Sequence, residues 1–213
     1  SSKNDITAFV QVFYNEDNGK YIIFPHLYTP KDTIMEREEK DKNPYSLWVE
    51  QGYLKTLPGS YINFEYLLDD LHDIDNHFEI KQIGFDRWGS QTIINRLEDK
   101  WEIVELGQGS KTMSQVINDF ENLLIDGRLI IVDNPVLNFM ANNVIARYDV
   151  NLNVTYDKKK SKFKIDGIMG LLMGLLLAIN ENEVNHYNAV NAIDALDRLN
   201  GLIGDNNENG DDI

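Results

Sequence analysis

The segment Ile80-Lys-Gln-Ile-Gly-Phe-Asp86 is a short apolar strand that ends in a carboxylate. Apolar residues at helical spacing precede it from Asn63 onward, and a second helical pattern follows it from Ser90 to Lys100. Strand and helix continue to alternate as far as the apolar stretch from Leu129 to Val132. Because such alternation is typical of parallel strands joined by crossover helices, we predict an α/β fold.

The N-terminal residues add an antiparallel unit to this fold. Apolar side chains alternate along residues 6–14, and the run from Asn15 to Gly19 is rich in turn-forming residues. Tyr21 to Phe24 is apolar again. This order predicts a β-hairpin.

Helix positions are predicted from apolar spacing and from capping residues. Pro44 to Tyr53 reads as a helix with Leu47 and Trp48 facing inward. Either Thr112 or Ser114 is expected to cap a later helix, because hydroxyl groups accept hydrogen bonds from the first free backbone N–H groups.

The stretch from Ile168 to Ile179 is almost wholly apolar and is interrupted by Gly170 and Gly174. A membrane-spanning helix needs about 20 apolar residues, so this stretch is too short and reads as a buried helix. Its glycines would let the helix lie close to a sheet. A final amphipathic helix is predicted over Tyr187 to Leu202.

Composition limits the kind of protein. The 213 residues contain no cysteine, which excludes disulfides and thiolate metal sites, and the N-terminus does not resemble a signal peptide. These features indicate an intracellular protein. The net charge of −15 argues against nucleic acid as a partner of the whole surface. One dense basic run at residues 158–164 could still bind DNA locally, despite the negative net charge.

Lysines occupy alternate positions from Lys158 to Lys164, within the predicted extended segment Val154 to Ile165. Alternate residues of a strand share a face, so we expect these lysines to line the face that carries Asp166. Such a run is often a solvated edge strand whose lysines prevent aggregation. The functional interpretation is a strip that follows DNA phosphates.

Asp86 and Asp166 are the candidate site residues. Asp86 follows a predicted central strand, and Asp166 opens the predicted buried helix. Each residue alone is better explained by local capping than by a catalytic role. Two carboxylates held rigidly beside a sheet edge favour a shared site, and that arrangement suits two-metal phosphodiester chemistry.

Two other motifs do not support a site. The run Gly107-Gln-Gly-Ser-Lys-Thr112 has neither four residues between its glycines nor a glycine directly before its lysine, so it lacks the P-loop pattern. The four histidines show no metal-binding spacing. No Ser/His/Asp arrangement can be argued.

Several separate stretches carry a family resemblance. They are Asn4-Asp-Ile-Thr-Ala-Phe9, Asn43-Pro-Tyr-Ser-Leu-Trp-Val-Glu-Gln-Gly52, Ile83-Gly-Phe-Asp-Arg-Trp-Gly89, Gly107-Gln-Gly109, Asn134-Pro-Val-Leu-Asn-Phe-Met-Ala-Asn-Asn-Val144 and Lys164-Ile-Asp-Gly167. In this order they resemble the nuclease domain of tailed-bacteriophage terminase large subunits. The region after about Glu183 falls outside the resemblance.

The resemblance implies an RNase H-like mixed sheet, in which an antiparallel hairpin unit continues into parallel strands and helices cover both faces. It also implies cleavage of double-stranded DNA concatemers by aspartates that hold two Mg²⁺ or Mn²⁺ ions. By position, Asp86 and Asp166 match two of the family's metal-binding acids. The first acid would fall just before Ser1, so we expect this fragment to cut weakly or not at all.

The resemblance also implies partners and domain limits. Arg87, Lys160 and Lys162 are expected to hold the DNA backbone. Further expected partners are an upstream ATPase domain of the same polypeptide, the small terminase subunit and the portal. No membrane is expected as a partner, and the expected location is the host cytoplasm. We expect a nuclease domain at 1–183, a helix at 184–204 and an acidic disordered tail at 205–213.

Two alternatives remain open from the sequence. The chain could be a non-catalytic DNA-gripping or docking module of the same motor, with its acidic surface and tail in contact with protein partners. It could also be another RNase H-like nuclease, such as a junction resolvase.

Overall fold

The fold is described from a computed structural model of the chain. The structure describes residues 6–86, 91–107, 109–158, 160–161 and 163–180. The predicted helix at 184–204 and the predicted tail at 205–213 lie outside these ranges. All elements below belong to the described residues.

Strands and helices alternate through most of the chain, as the sequence predicts. The strands are β1 (Thr7–Asn15), β2 (Lys20–Pro30), β3 (Lys55–Leu57), β4 (Gln82–Asp86), β5 (Glu102–Leu106), β6 (Leu129–Ile131), β7 (Ala146–Tyr148) and β8 (Val154–Tyr156). The helices are α1 (Ile34–Asp41), α2 (Tyr45–Glu50), α3 (Glu65–His77), α4 (Gln91–Glu98), α5 (Ser110–Ile125), α6 (Pro135–Asn142) and α7 (Asp166–Asn180).

The strand pairing is mixed. Strands β1 and β2 pair antiparallel as the predicted hairpin, while β2 pairs parallel with both β3 and β6. Strands β4 and β5 pair parallel, and β7 and β8 pair antiparallel. The hairpin turn forms because Asn15 accepts the Gly19 N–H at 2.8 Å through its carbonyl and the Asp17 N–H at 3.0 Å through its side chain. The predicted mixed α/β architecture is therefore confirmed.

Helices cover both faces of β1, whose successive side chains point to opposite sides. Val10 packs with the core that α5, α6 and α7 form. Phe9 instead packs against residues of α3, among them Leu68 and Leu71. The sheet is therefore enclosed between two helical layers, as predicted.

Helix α7 is buried against β1 because two of its residues lack side chains. A Cβ atom added at Gly170 would lie 3.1 Å from Val10 Cγ2, and one at Gly174 would lie 2.8 Å from Val12 Cγ2. This close approach confirms the predicted role of the glycines. Among the described residues, no helix is long and apolar enough to cross a membrane.

Two local predictions are wrong. Trp48 is buried, but Leu47 is 45% exposed, because the six-residue α2 buries only one side. Helix α5 begins at Ser110 after Gly109, so neither predicted hydroxyl residue caps it. The Ser114 hydroxyl instead accepts a hydrogen bond from the Val154 N–H at 3.0 Å, which ties β8 to α5.

The predicted lysine strand is also wrong, because β8 ends at Tyr156. Asp157 then forms a turn: its side chain accepts the Lys160 N–H at 3.1 Å, and its carbonyl accepts the Ser161 N–H at 3.0 Å. An aspartate that satisfies nearby N–H groups in this way competes with strand pairing. Lys158 and Lys160 therefore lie in a turn and not on one strand face.

Candidate active site

Asp86 is the last residue of β4, the strand that was expected to carry it. The strand is anchored by Ile83, which is buried, and by Gly84. A Cβ atom at Gly84 would lie 2.7 Å from Leu106 Cδ1 and 2.8 Å from Leu177 Cδ1. The backbone of β4 thus fits closely between β5 and α7, which fixes the position of Asp86.

Asp166 is the first residue of α7, and its neighbours in the chain are buried on both sides. Ile165 is 1% exposed and accepts the Met169 N–H through its carbonyl at 3.0 Å. The Gly167 N–H donates to Met140 Sδ at 3.2 Å, and there is no room for a side chain at Gly167 beside that sulfur atom. The Asp166 carboxylate is therefore held at the edge of a packed core.

The Lys158 ammonium group lies within 4 Å of both carboxylates. Its Nζ atom is 3.9 Å from Asp86 Oδ2 and 3.7 Å from Asp166 Oδ1. The two carboxylate oxygens can be no farther apart than the sum of these distances. Residues that are 80 positions apart in the sequence thus converge on one cation.

The electrostatic character of this site is that of a cation-binding edge. Two partly exposed carboxylates repel one another unless a positive charge lies between them. Carboxylate oxygens are hard ligands, and Mg²⁺ is commonly held by one or two carboxylates together with water and substrate phosphates. Asp86 and Asp166 fit such an ion in ligand type. Among the described residues, no group of three or more His, Asp or Glu side chains lies together as a metal cluster.

The predicted DNA-binding residues have different outcomes. Lys160 is exposed in the Asp157 turn, two residues from Lys158. Arg87 and Lys162 lie outside the described residues. Within the described part of the chain, no ion pair joins Lys160 to either candidate acid.

Sequence reasoning did not single out Lys158, because it treated the lysine run as one strand face. The available signal was Asp157, a residue type that favours turns, directly after the alternating segment that became β8. A turn at that point ends the strand before Lys158. The sequence alone does not indicate which of the lysines reaches the acids.

Two cavities in the described part of the chain lie apart from Asp86 and Asp166. One cavity of about 170 Å³ lies between β1 and β4, and another of about 810 Å³ lies between β2 and α3. Neither is lined by Asp86 or Asp166.

Comparison with known families gives a match over most of the chain. The family described as terminase large subunit, endonuclease domain, matches residues 1–183. The terminase large subunit of Enterobacteria phage HK97 is 32% identical over 184 residues, which cover 85% of this chain and 36% of that protein. Protein YmfN of Escherichia coli (strain K12) is 24% identical over 186 residues, covering 81% of this chain and 40% of that protein.

The fold comparison agrees with the sequence comparison. The crystal structure of the HK97 bacteriophage large terminase matches with a TM-score of 0.71 and 27% identity. The match covers 83% of this chain and 40% of the HK97 chain. The present chain thus spans well under half the length of these relatives.

Proposed function

This chain belongs to the terminase large subunit endonuclease domain family, and from that premise we propose that it is a metal-dependent nuclease that cleaves double-stranded DNA during phage genome packaging. The observation that carries the proposal is the convergence of Asp86 and Asp166 on one ammonium group. A single position that attracts a cation to both carboxylates is the kind of position that a catalytic metal ion needs.

In this proposal Asp86 and Asp166 hold Mg²⁺ or Mn²⁺, with two ions in the active form. When bound, such ions activate a water molecule and stabilise the leaving 3′ oxygen of the phosphodiester. The rigid ends of β4 and α7 keep the two carboxylates at a fixed separation, which lowers the cost of assembling the site.

Lys160 is proposed to contact the DNA backbone beside the acids, together with Arg87 and Lys162. Contacts to phosphates position DNA but carry no direct sequence information. We therefore expect little sequence preference from these three residues. The acidic charge of the rest of the chain would confine DNA to this edge.

The action of the whole polypeptide belongs to the same proposal. Because the HK97 relative is much longer than this chain, we propose that an ATPase domain precedes the nuclease domain in the same polypeptide. The small terminase subunit and the portal are the proposed protein partners. Cutting of concatemers would then take place in the host cytoplasm.

Cleavage of supercoiled plasmid in Mg²⁺ or Mn²⁺ tests the proposal. It should be measured on this chain and on one extended upstream along its natural polypeptide. Asp86→Asn and Asp166→Asn should each reduce the cleavage rate at least about 100-fold, since each removes a metal ligand. Asp99→Asn, at an exposed position after α4, is the matched control and should cut at the wild-type rate. Undiminished cleavage by both site variants would refute the assignment of the site.

A non-catalytic module that grips DNA is the second candidate function. It differs from the first in assigning no metal ion to Asp86 and Asp166. Crystals soaked in Mn²⁺ distinguish the two functions, because a nuclease site should show anomalous density between Asp86 and Asp166. A junction resolvase would instead be recognised by preferential cutting of four-way DNA over linear duplex.

A further inference from the structure

Lys158 places a positive charge where the proposed site needs one. Its Nζ atom lies 3.9 Å from Asp86 and 3.7 Å from Asp166. Charge-assisted hydrogen bonds between ammonium and carboxylate groups are about 2.7–2.9 Å long. Both contacts are longer than this, so the attraction is Coulombic and is not fixed by directional hydrogen bonds.

The ammonium group can leave this position without rearrangement of the backbone. The Lys158 side chain is 37% exposed, and its four-carbon stem is flexible. The backbone after Lys158 is held separately, because Asp157 accepts the N–H groups of Lys160 and Ser161. Exchange of the ammonium group is therefore a side-chain movement toward solvent.

A divalent cation bound to both carboxylates would compete with this ammonium group for the same electrostatic position. An ammonium group and a divalent ion that both contact Asp86 and Asp166 would lie only a few ångströms apart and would repel one another, with these two carboxylates alone to offset their charges. The bound ion must therefore either displace the Lys158 ammonium group or bind the two carboxylates less favourably because that group stays beside it. In either case the apparent affinity for the ion is lower than the two carboxylates alone would give.

We infer that Lys158 is an internal competitor for the divalent-cation position between Asp86 and Asp166. It offsets the repulsion between the two carboxylates when the concentration of divalent ions is low, and it raises the concentration at which the site fills. This inference rests on the proposed function, because it takes the two aspartates as metal ligands. It assigns to Lys158 a role as a positioning residue that differs from phosphate binding by Lys160.

The consequence is a shift of metal affinity in a direction opposite to that of most site variants. Loss of a metal ligand weakens binding, whereas loss of the competing charge strengthens it. Ion pairs of partly exposed groups are individually weak, so Lys158→Gln should lower the Kd for Mn²⁺ by roughly threefold to tenfold. Lys158→Arg keeps the charge and should remain within about twofold of the wild type.

Electron paramagnetic resonance of free Mn²⁺, titrated with the whole chain, measures this affinity without reference to cleavage. Lys160→Gln is the matched control, because it removes one positive charge from the same turn without removing a contact to Asp86 or Asp166. It should change the Kd for Mn²⁺ much less than Lys158→Gln. Thermal unfolding of each variant checks that the fold is retained, which the exposure of both lysines favours.

The outcomes separate this inference from the proposed function. If Asp86→Asn and Asp166→Asn weaken Mn²⁺ binding but Lys158→Gln leaves the affinity unchanged or weakens it, the site stands and the role of Lys158 as a competitor is overturned. If neither aspartate variant alters Mn²⁺ binding, or the wild type binds none at millimolar concentration, the metal site itself is wrong and the inference fails with it. Tighter binding by Lys158→Gln, with wild-type affinity in Lys158→Arg, supports both.

Discussion

At the scale of single residues, burial of one histidine limits the pH range in which the fold is most stable. The ring of His26 is partly buried, and its Nε2 atom lies 2.8 Å from Gln11 Oε1. Burial disfavours the charged ring and lowers the pKa of His26 to about 4. The folded protein therefore keeps this ring neutral where an unfolded chain would protonate it.

The sign of the resulting pH dependence follows from proton binding. Between the ordinary pKa of 6.5 and the lowered value of about 4, the unfolded chain binds more protons at His26 than the folded protein does. The free energy of unfolding should thus fall as the pH decreases through this window, by up to about 1.4 kcal/mol per pH unit. Urea unfolding at pH 7, 5.5 and 4.5 measures this change in the free energy of unfolding.

Two variants isolate the contribution of His26. His26→Gln should show a shallower dependence on pH than the wild type, since the titrating group is gone. His77→Gln changes an exposed histidine on α3 and should keep the wild-type slope. Equal slopes in the wild type and His26→Gln would show that another group governs stability in this range.

A single residue also shows why the site could be predicted only in part. Asp86 and Asp166 could be located from sequence, because each ends or begins an element with a strong apolar pattern. The contact of Lys158 with both acids could not be predicted from the sequence. Lys158 reaches both acids only because Asp157 closes a turn, and a local hydrogen bond of that kind leaves no mark on hydrophobic periodicity.

At the scale of elements, α7 and β1 depend on the absence of two side chains. Alanine at an interior helix position is normally more stable than glycine by about 1 kcal/mol. At Gly174 a methyl group would lie 2.8 Å from Val12 Cγ2, and overpacking of this kind costs about 1–3 kcal/mol. We therefore expect Gly174→Ala to lower the free energy of unfolding, as measured by urea denaturation.

Gly170 provides the comparison within the same helix. Its added methyl group would lie 3.1 Å from Val10 Cγ2, which requires a smaller adjustment. Gly170→Ala should thus be less destabilising than Gly174→Ala. The reverse order would mean that contact with β1 does not govern the choice of residue at these positions.

Elements with a strong period were predicted well, and short ones were not. The β1–β2 hairpin follows from the nine-residue alternation at 6–14 and the turn residues after it, and the buried helix α7 follows from the apolar run from Ile168 to Ile179. Helix α2 has only six residues, too few for the pattern to show which apolar side chain faces inward, and Leu47 was misplaced. The predicted lysine strand was wrong because Asp157 forms a turn, although lysines continue to occupy alternate positions of the sequence after it.

At the scale of the whole molecule, an acidic body carries a small basic edge. Net charge of −15 should keep DNA from most of the surface. If Arg87, Lys160 and Lys162 supply the phosphate contacts, the logarithm of the DNA-binding constant should fall against the logarithm of salt concentration with a slope of about −3. Fluorescence anisotropy with a labelled duplex at several salt concentrations measures this slope.

Lys160→Gln should make that slope shallower by about one unit and weaken binding to all sequences alike. Lys40→Gln, on the exposed side of α1, removes the same charge from another part of the surface and should have little effect. A much steeper wild-type slope would reveal phosphate contacts beyond these three residues.

The close approach of β1 and α7 also has a genetic consequence. The space beside Gly174 is filled by Val12, so a larger residue in the helix is tolerated when the strand residue becomes smaller. Val12→Ala should accordingly act as a second-site suppressor of Gly174→Ala. Because Asp166 is the first residue of α7, paired substitutions of this kind would preserve the position of the helix and of the Asp166 carboxylate. The residues at the contact between β1 and α7 could therefore change during evolution without loss of the site.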